Sequence, residues 1–404
     1  MGEAEVWVAR RRVFYIPGYD PFPPRRYREL YRREAAAQAA LTGDRIEVRR
    51  DGAEAWAVAA TVEGRAVEAG IEVLVWADLV QGSMGQSIAA TYAQLARTAW
   101  VYIASGALVR LMRLRKGPVL AALYPVAMLL AQLALALALG LAAVALLGRA
   151  LPAPWAWAGL LLAWPVLAGF RRADRWFFAY YLMHDYAHAA GRGGAYPPEL
   201  EARLAGFRAR IAAALAGPAD EVLVVGHSSG ASLAVSVVAD LLRRSEVPQG
   251  GPVLSLLTLG QVVPMVSFLP DADRLRADLN LLSRAERLAW VDITAPGDGA
   301  AFALCDPVAV SGVAPAEGKR WPLVLSAAFT RTLRPETWAR LRWRFHRLHF
   351  QYLHAFDALP GDPGDYDYFR VTAGPRTLAA RFAGRPPSRS RIEAPVSGHT
   401  SMAA

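Results

Sequence analysis

From Val119 to Leu147 the chain runs through twenty-nine residues without a charged side chain, VLAALYPVAMLLAQLALALALGLAAVALL. Such a run is accommodated either in a large core or in a bilayer, because roughly 20 apolar helical residues cross the hydrocarbon layer. Gln132 is its one strongly polar member, and Pro125 near its start favours a kink. A short connection, Gly148 to Pro154, leads to a second uncharged run, Trp155 to Phe170. That run is short for a full crossing unless Pro154 and the connection contribute. Trp155, Trp157 and Trp164 suit the headgroup level. Arg110, Arg113, Arg115 and Lys116 precede the first run, Arg171, Arg172 and Arg175 follow the second, and only Arg149 lies between. The basic flanks predict a two-span hairpin with both outer ends cytoplasmic and the connection on the far side. A re-entrant hairpin and a pair of buried core helices are the alternatives.

The hairpin, residues 118–170, divides the remainder into a first soluble part, 1–117, and a second, 171–383. A Pro-, Ser- and Arg-rich tail, 384–404, reads as disordered. In the first part, Val13–Ile16 reads as a buried strand stopped by Pro17-Gly18, and Tyr27–Leu41 as a helix. Ala55–Val62 and Ile71–Trp76 read as strands, the second leading into an acidic, glycine-bearing loop, 77–82. Ser87–Leu114 reads as one long helix, either on the lipid surface or packed on a sheet. In the second part, helices at Arg172–Ala190 and Pro198–Ala216 precede a strand, Glu221–Val225, and a helix, Ala231–Arg243. Then follow a strand at Val253–Leu259, a helix near Asp271–Arg287 and a strand at Leu288–Thr294. This alternation predicts an α/β fold, a mostly parallel sheet with helices on both faces and the apolar hairpin inserted.

The formal charge of +10, from 45 basic and 35 acidic residues, favours anionic partners. No helix-turn-helix, zinc-finger or RNP pattern is present, so the expected partner is an anionic lipid surface and not nucleic acid. Cys305 is the only cysteine, which excludes an internal disulfide and fits a reducing compartment. The first twenty residues carry acids and arginines where an export signal needs an apolar segment, so the globular part is expected in the cytoplasm.

Gly226-His227-Ser228-Ser229-Gly230 follows an apolar β-branched run and opens a helix of small residues. This is the context of a nucleophile elbow, in which a strained strand-to-helix turn exposes a serine and flanking glycines avoid collisions. Ser228 is therefore the candidate nucleophile, beside a helix N-terminus that favours developing negative charge. In these residues the sequence resembles the α/β-hydrolase superfamily, especially its lipase- and esterase-like members, with the hairpin as an insertion. The resemblance implies an acid and then a histidine, each on a loop after its own strand. Asp298, just past the strand Leu288–Thr294, is the preferred acid, with Asp306 and Asp292 as alternatives. His349, within an aromatic stretch, is the preferred base over His354 and His346, although a helix around Pro335–Arg342 separates it from the run Trp321–Ala328. The resemblance places oxyanion donors at the Ser229 N–H and, in the loop Pro17-Gly18-Tyr19-Asp20, at the Tyr19 N–H. That loop lacks the His-Gly pair common in the superfamily.

His184 and His188 stand four apart, but Asp185 occupies the position where zinc proteases carry Glu, and no metal is expected. No dinucleotide or phosphate-binding loop appears, so no cofactor is implied. The expected activity is hydrolysis of a hydrophobic or lipid-like acyl ester through an acyl-serine intermediate. The alternative is a non-catalytic membrane protein of the same fold that binds a lipid or protein partner.

Overall fold

The computed structural model describes residues 7–19, 23–76, 78–79, 87–358 and 365–403. Among these, eight strands form one sheet: β1 (Arg10–Ile16), β2 (Arg45–Arg50), β3 (Ala55–Val62), β4 (Arg65–Val73), β5 (Glu221–His227), β6 (Val253–Leu259), β7 (Ala289–Thr294) and β8 (Leu323–Ser326). Their order is β2-β3-β4-β1-β5-β6-β7-β8. From β4 through β1 to β8 every pairing is parallel, whereas β2 and β3 form an antiparallel edge.

The inner parallel strands β5, β6 and β7 are buried nearly throughout because both faces are covered. Side chains alternate across a strand, and the sequence follows that period. Leu223 and Val225 face one core together with Tyr27 and Tyr31 of helix α1 (Pro24–Thr42). Val222 and Val224 face the other core, against later helices. Each such side chain, fully buried, contributes roughly 1.5–3 kcal/mol. At the amino-terminal ends of the strands, Arg11 and Glu221 form a fully buried ion pair at 2.7 Å. Ser255 Oγ donates to the same carboxylate, and Arg11 also donates to the carbonyl of Gly374.

Between β4 and β5 lie helix α2 (Ile88–Ala104), helix α3 (Ala107–Leu114) and the hairpin. The expected single helix over Ser87–Leu114 is broken at Ser105-Gly106. Gly106 takes the left-handed φ of +70°, and Ser105 Oγ donates to the Val101 carbonyl. The first hairpin arm is α4 (Lys116–Leu147), which keeps Pro125 inside without ending. The second arm, α5, spans Ala153–Arg172, and its middle, Trp157–Leu162, is a 3₁₀ helix. A 3₁₀ segment rises about 2.0 Å per residue against 1.5 Å in an α-helix. The uncharged part of the arm, Ala153 to Phe170, therefore extends about 30 Å from the same rises, close to the thickness of a hydrocarbon layer. Both arms are long and apolar enough to cross a membrane. The expected helix Arg172–Ala190 is interrupted at Phe178 (φ +54°), after which α6 runs Ala179–Ala190.

After α7 (Pro198–Leu215), α8 (Gly230–Arg243) and α9 (Asp273–Arg284) cover the second face. The tail expected to be disordered is instead tied down. Ser388 N–H donates to the Val324 carbonyl, Ile392 N–H to Leu304, and Val396 N–H to Val310. Backbone bonding to fixed strands and loops outweighs the polar composition there. Of the expected acidic loop, Ala77 and residues 80–82 lie outside the described residues, as does Asp20.

Candidate active site

β5 ends at His227 and α8 begins at Gly230, so Ser228 and Ser229 must turn the chain within two residues. Ser228 adopts φ +57°, a left-handed conformation that costs a non-glycine residue about 1–3 kcal/mol. Its N–H donates to the Leu259 carbonyl at 2.9 Å, which ties the strained turn to the end of β6. The glycines of the motif are sterically required. A Cβ at Gly226 would lie 2.7 Å from Ala231 Cα, and one at Gly230 would strike the carbonyls of Ile16 and Pro17. Gly18 belongs to the same packing, since a Cβ there would meet Ser228 Cβ at 3.0 Å.

Asp298 follows β7 and His349 ends a short helix, Phe345–His349, yet the fold brings them together. His349 Nδ1 and Asp298 Oδ2 are 2.7 Å apart, both residues buried. Tyr352 Oη donates to the same oxygen at 3.0 Å, and the Ala300 N–H donates to Oδ1 at 2.9 Å. Burial raises the Asp298 pKa, but the charge and hydrogen bond of His349, with those from Ala300 and Tyr352, outweigh it. The net direction is below the ordinary carboxyl value, so Asp298 is ionised at neutral pH. The imidazole stands over the strand ends that hold Ser228. A Cβ at Gly260, next to Leu259, would lie 3.2 Å from His349 Cε1, and the rings of His227 and His349 are 5.0 Å apart.

The two expected oxyanion donors also lie together, in an arrangement the sequence does not reveal. The Tyr19 N–H donates to Ser229 Oγ at 2.7 Å, and the Tyr19 carbonyl accepts from the Tyr181 hydroxyl. The Ser229 N–H lies at the start of α8, where helix N–H groups lack intrahelical acceptors. The Trp76 indole N–H donates to the Pro17 carbonyl at 3.0 Å and steadies this loop.

The alternative residues sit elsewhere. Asp292 is buried inside β7, accepts from Thr258 Oγ1 at 2.6 Å, and is pushed up to about 8 by desolvation. Asp306 caps the turn Pro307–Val310 and pairs with Lys319. His354 Nδ1 contacts the Phe350 carbonyl at 2.7 Å, and burial lowers its pKa to about 4. His346 is exposed and stacks on Phe178. His184 and His188 share α6, and no cluster of three metal-ligating groups occurs among the described residues.

Two further residues complete the site. His227 occupies a variable position of the motif, yet its Nε2 lies 3.1 Å from the His349 carbonyl and its Nδ1 3.3 Å from Tyr15 Oη. Burial, then the neighbouring His349, lowers its pKa to about 3, so it is a neutral strut under the imidazole-bearing segment. Tyr352 lies three residues after His349, a spacing that returns to the same side of a turn, and this is the sequence signal for it.

The hairpin base abuts this site. Arg115 Nε donates to the Ala303 carbonyl at 2.9 Å, and a Cβ at Gly117 would lie 3.2 Å from the Gly299 carbonyl oxygen. A cleft of about 900 Å³ lies at the other end of the sheet, lined by Arg10, Arg12, Arg210 and Glu72. No protein-family model matches the chain, and no curated protein or solved structure matches it. The same strand ends thus carry a hydroxyl on a strained turn and a carboxylate-oriented imidazole, the group types that nucleophilic acyl chemistry uses.

Proposed function

We propose that the protein is a membrane-anchored serine hydrolase that cleaves a hydrophobic acyl ester. The observation that carries this reading is the buried Asp298–His349 pair beside the strained turn of Ser228. With Nδ1–H donated to Asp298, Nε2 of His349 is left to accept the Ser228 proton. Ser228 Oγ attacks the ester carbonyl carbon as that proton moves to Nε2. The C–O bond to the alcohol then breaks, and the alcohol leaves with the proton. Water repeats the sequence on the acyl-serine, releasing the acid and restoring the hydroxyl. The Ser229 N–H and the start of α8 face the developing oxyanion. No cofactor enters these steps. The hairpin anchors the protein with both basic flanks on the cytoplasmic side.

One observation favours a binding protein instead: the Tyr19 N–H is already engaged by Ser229 Oγ. A fluorophosphonate probe separates the two. The parent chain is expected to label and Ser228→Ala to stay unlabelled, while Asp298→Asn slows labelling by up to about four orders of magnitude, the loss of turnover that the corresponding change causes in a well-studied serine protease. Absence of labelling in the parent would sink the hydrolase reading.

A further inference from the structure

We infer that the segment Trp343–Phe345 is a second lipid-docking surface, which seats the imidazole-bearing part of the site on an anionic bilayer beside the hairpin. The inference rests on the membrane reading proposed above. Trp343 is 70% exposed in the turn between the helix Pro335–Leu341 and the helix that carries His349, and Phe345, the first residue of that second helix, is 56% exposed. Two large rings open to water within three residues need a cover.

Charge identifies that cover. Between Glu336 and Asp357 there is no acidic residue, whereas Arg340, Arg342, Arg344 and Arg347 fall in that interval. Arg340, Arg342 and Arg344 are exposed, and among the described residues none of the three has an acidic partner. An indole and a phenyl ring interleaved with arginines that lack acidic partners, one of them (Arg342) over the indole face at 5.4 Å, match the headgroup layer of an anionic leaflet, where rings enter the interface and guanidinium groups meet phosphates.

Position agrees with charge. A Cβ at Gly299 would lie 3.4 Å from the Phe345 ring, and the carbonyl of the same glycine abuts Gly117 in the first turn of α4. The exposed leucines of α4 begin at Leu120, one turn further on. On the other side, His346 stacks on Phe178 at 6.2 Å, and Phe178 and Trp176 are themselves exposed just after Arg175. The segment Trp343–Phe345 therefore lies at the level where the exposed apolar surface of the hairpin starts. From it, His346 leads through Phe350 (5.0 Å) to His349 (6.3 Å). The substrate class that fits is an ester dissolved in the leaflet, such as an acylated amphiphile, in preference to a water-soluble one.

The test uses the full chain. Cys305, the only native cysteine, is fully buried, so Trp343→Cys and, separately, Phe345→Cys each offer one accessible thiol for an environment-sensitive fluorophore. The labelled proteins are reconstituted in phosphatidylcholine vesicles containing phosphatidylglycerol. Emission is expected to be lost to lipids carrying a nitroxide near the headgroup and protected from aqueous iodide, with the protection growing as phosphatidylglycerol increases. Quenching by iodide would overturn the inference. So would shielding from both quenchers, which would mean a protein covers the segment. Flotation of the parent with the vesicles reports the membrane reading separately. A parent that floats while both labels behave as aqueous refutes only the docking surface; a parent that does not float refutes the anchor.

Discussion

At the scale of single residues, the structure pairs Asp298 with His349, as the superfamily resemblance implied, and the strand–turn–helix context of Ser228 that carries this resemblance was visible in the sequence. The environment of each group is a product of packing and was not. Asp292 and His227 illustrate this, because burial shifts them in opposite senses. His227 is lowered to about 3, so it contributes stability that is complete above its unfolded value near 6.5 and declines as pH falls toward 3. Asp292 is raised to about 8, so its contribution is complete below an unfolded value near 3.8 and is lost as pH rises through 8. Between these unfolded values the two slopes oppose each other. Above pH 6.5 only Asp292 continues to act, and it removes about 1.4 kcal/mol per pH unit until it ionises. Asp292→Asn is therefore expected to flatten the decline in stability between pH 6.5 and 8, measured by denaturant unfolding in detergent. Equal declines in parent and variant would refute this assignment of the slope.

At the scale of elements, the hairpin arms meet through glycines. A Cβ at Gly159 would overlap the backbone of Ala143 and Val144, and one at Gly140 would lie 3.3 Å from Leu160 Cα. In the bilayer proposed above, lipid offers no hydrophobic drive to pair helices, so close backbone packing of small residues holds the arms together. Gly159→Leu should separate them and destabilise the hairpin by about 1–3 kcal/mol, the usual range for overpacking. The expected readout is a lower melting temperature in detergent, with Gly169→Leu, where a Cβ would meet nothing, as the comparison. Matching melting temperatures would show that the arms do not depend on this contact. Elements with strong apolar patterning were legible: Ala55–Val62 and Val253–Leu259 occur as read. β2 (Arg45–Arg50) was not, because RIEVRR carries charges along an edge strand whose pairing to β3 is a matter of backbone bonds. The breaks at Gly106 and Phe178 were also hidden. A glycine in a helical pattern and an aromatic residue with φ +54° give no apolar periodicity to read. The tail from Gly384 was misread because composition does not show which distant carbonyls will accept its N–H groups.

At the scale of the whole molecule, the hairpin sits between β4 and β5 while its base touches the turn bearing Asp298. If both basic flanks are cytoplasmic, reporter fusions at Lys116 and Arg175 should report one side and a fusion at Arg149 the other. A cytoplasmic signal at Arg149 would leave only a re-entrant hairpin. The central position of β1 has a further consequence for biosynthesis. Its partners are β4, made before the hairpin, and β5, made after it. When the second arm leaves the ribosome, only half of the sheet exists, and the edge of β1 that later takes β5 is open. At roughly 5–20 residues per second, the stretch from Arg172 to Glu221 keeps that edge unpaired for some seconds. With the hairpin in a bilayer as proposed above, its insertion precedes completion of the sheet, and the nascent half-sheet waits at the membrane surface.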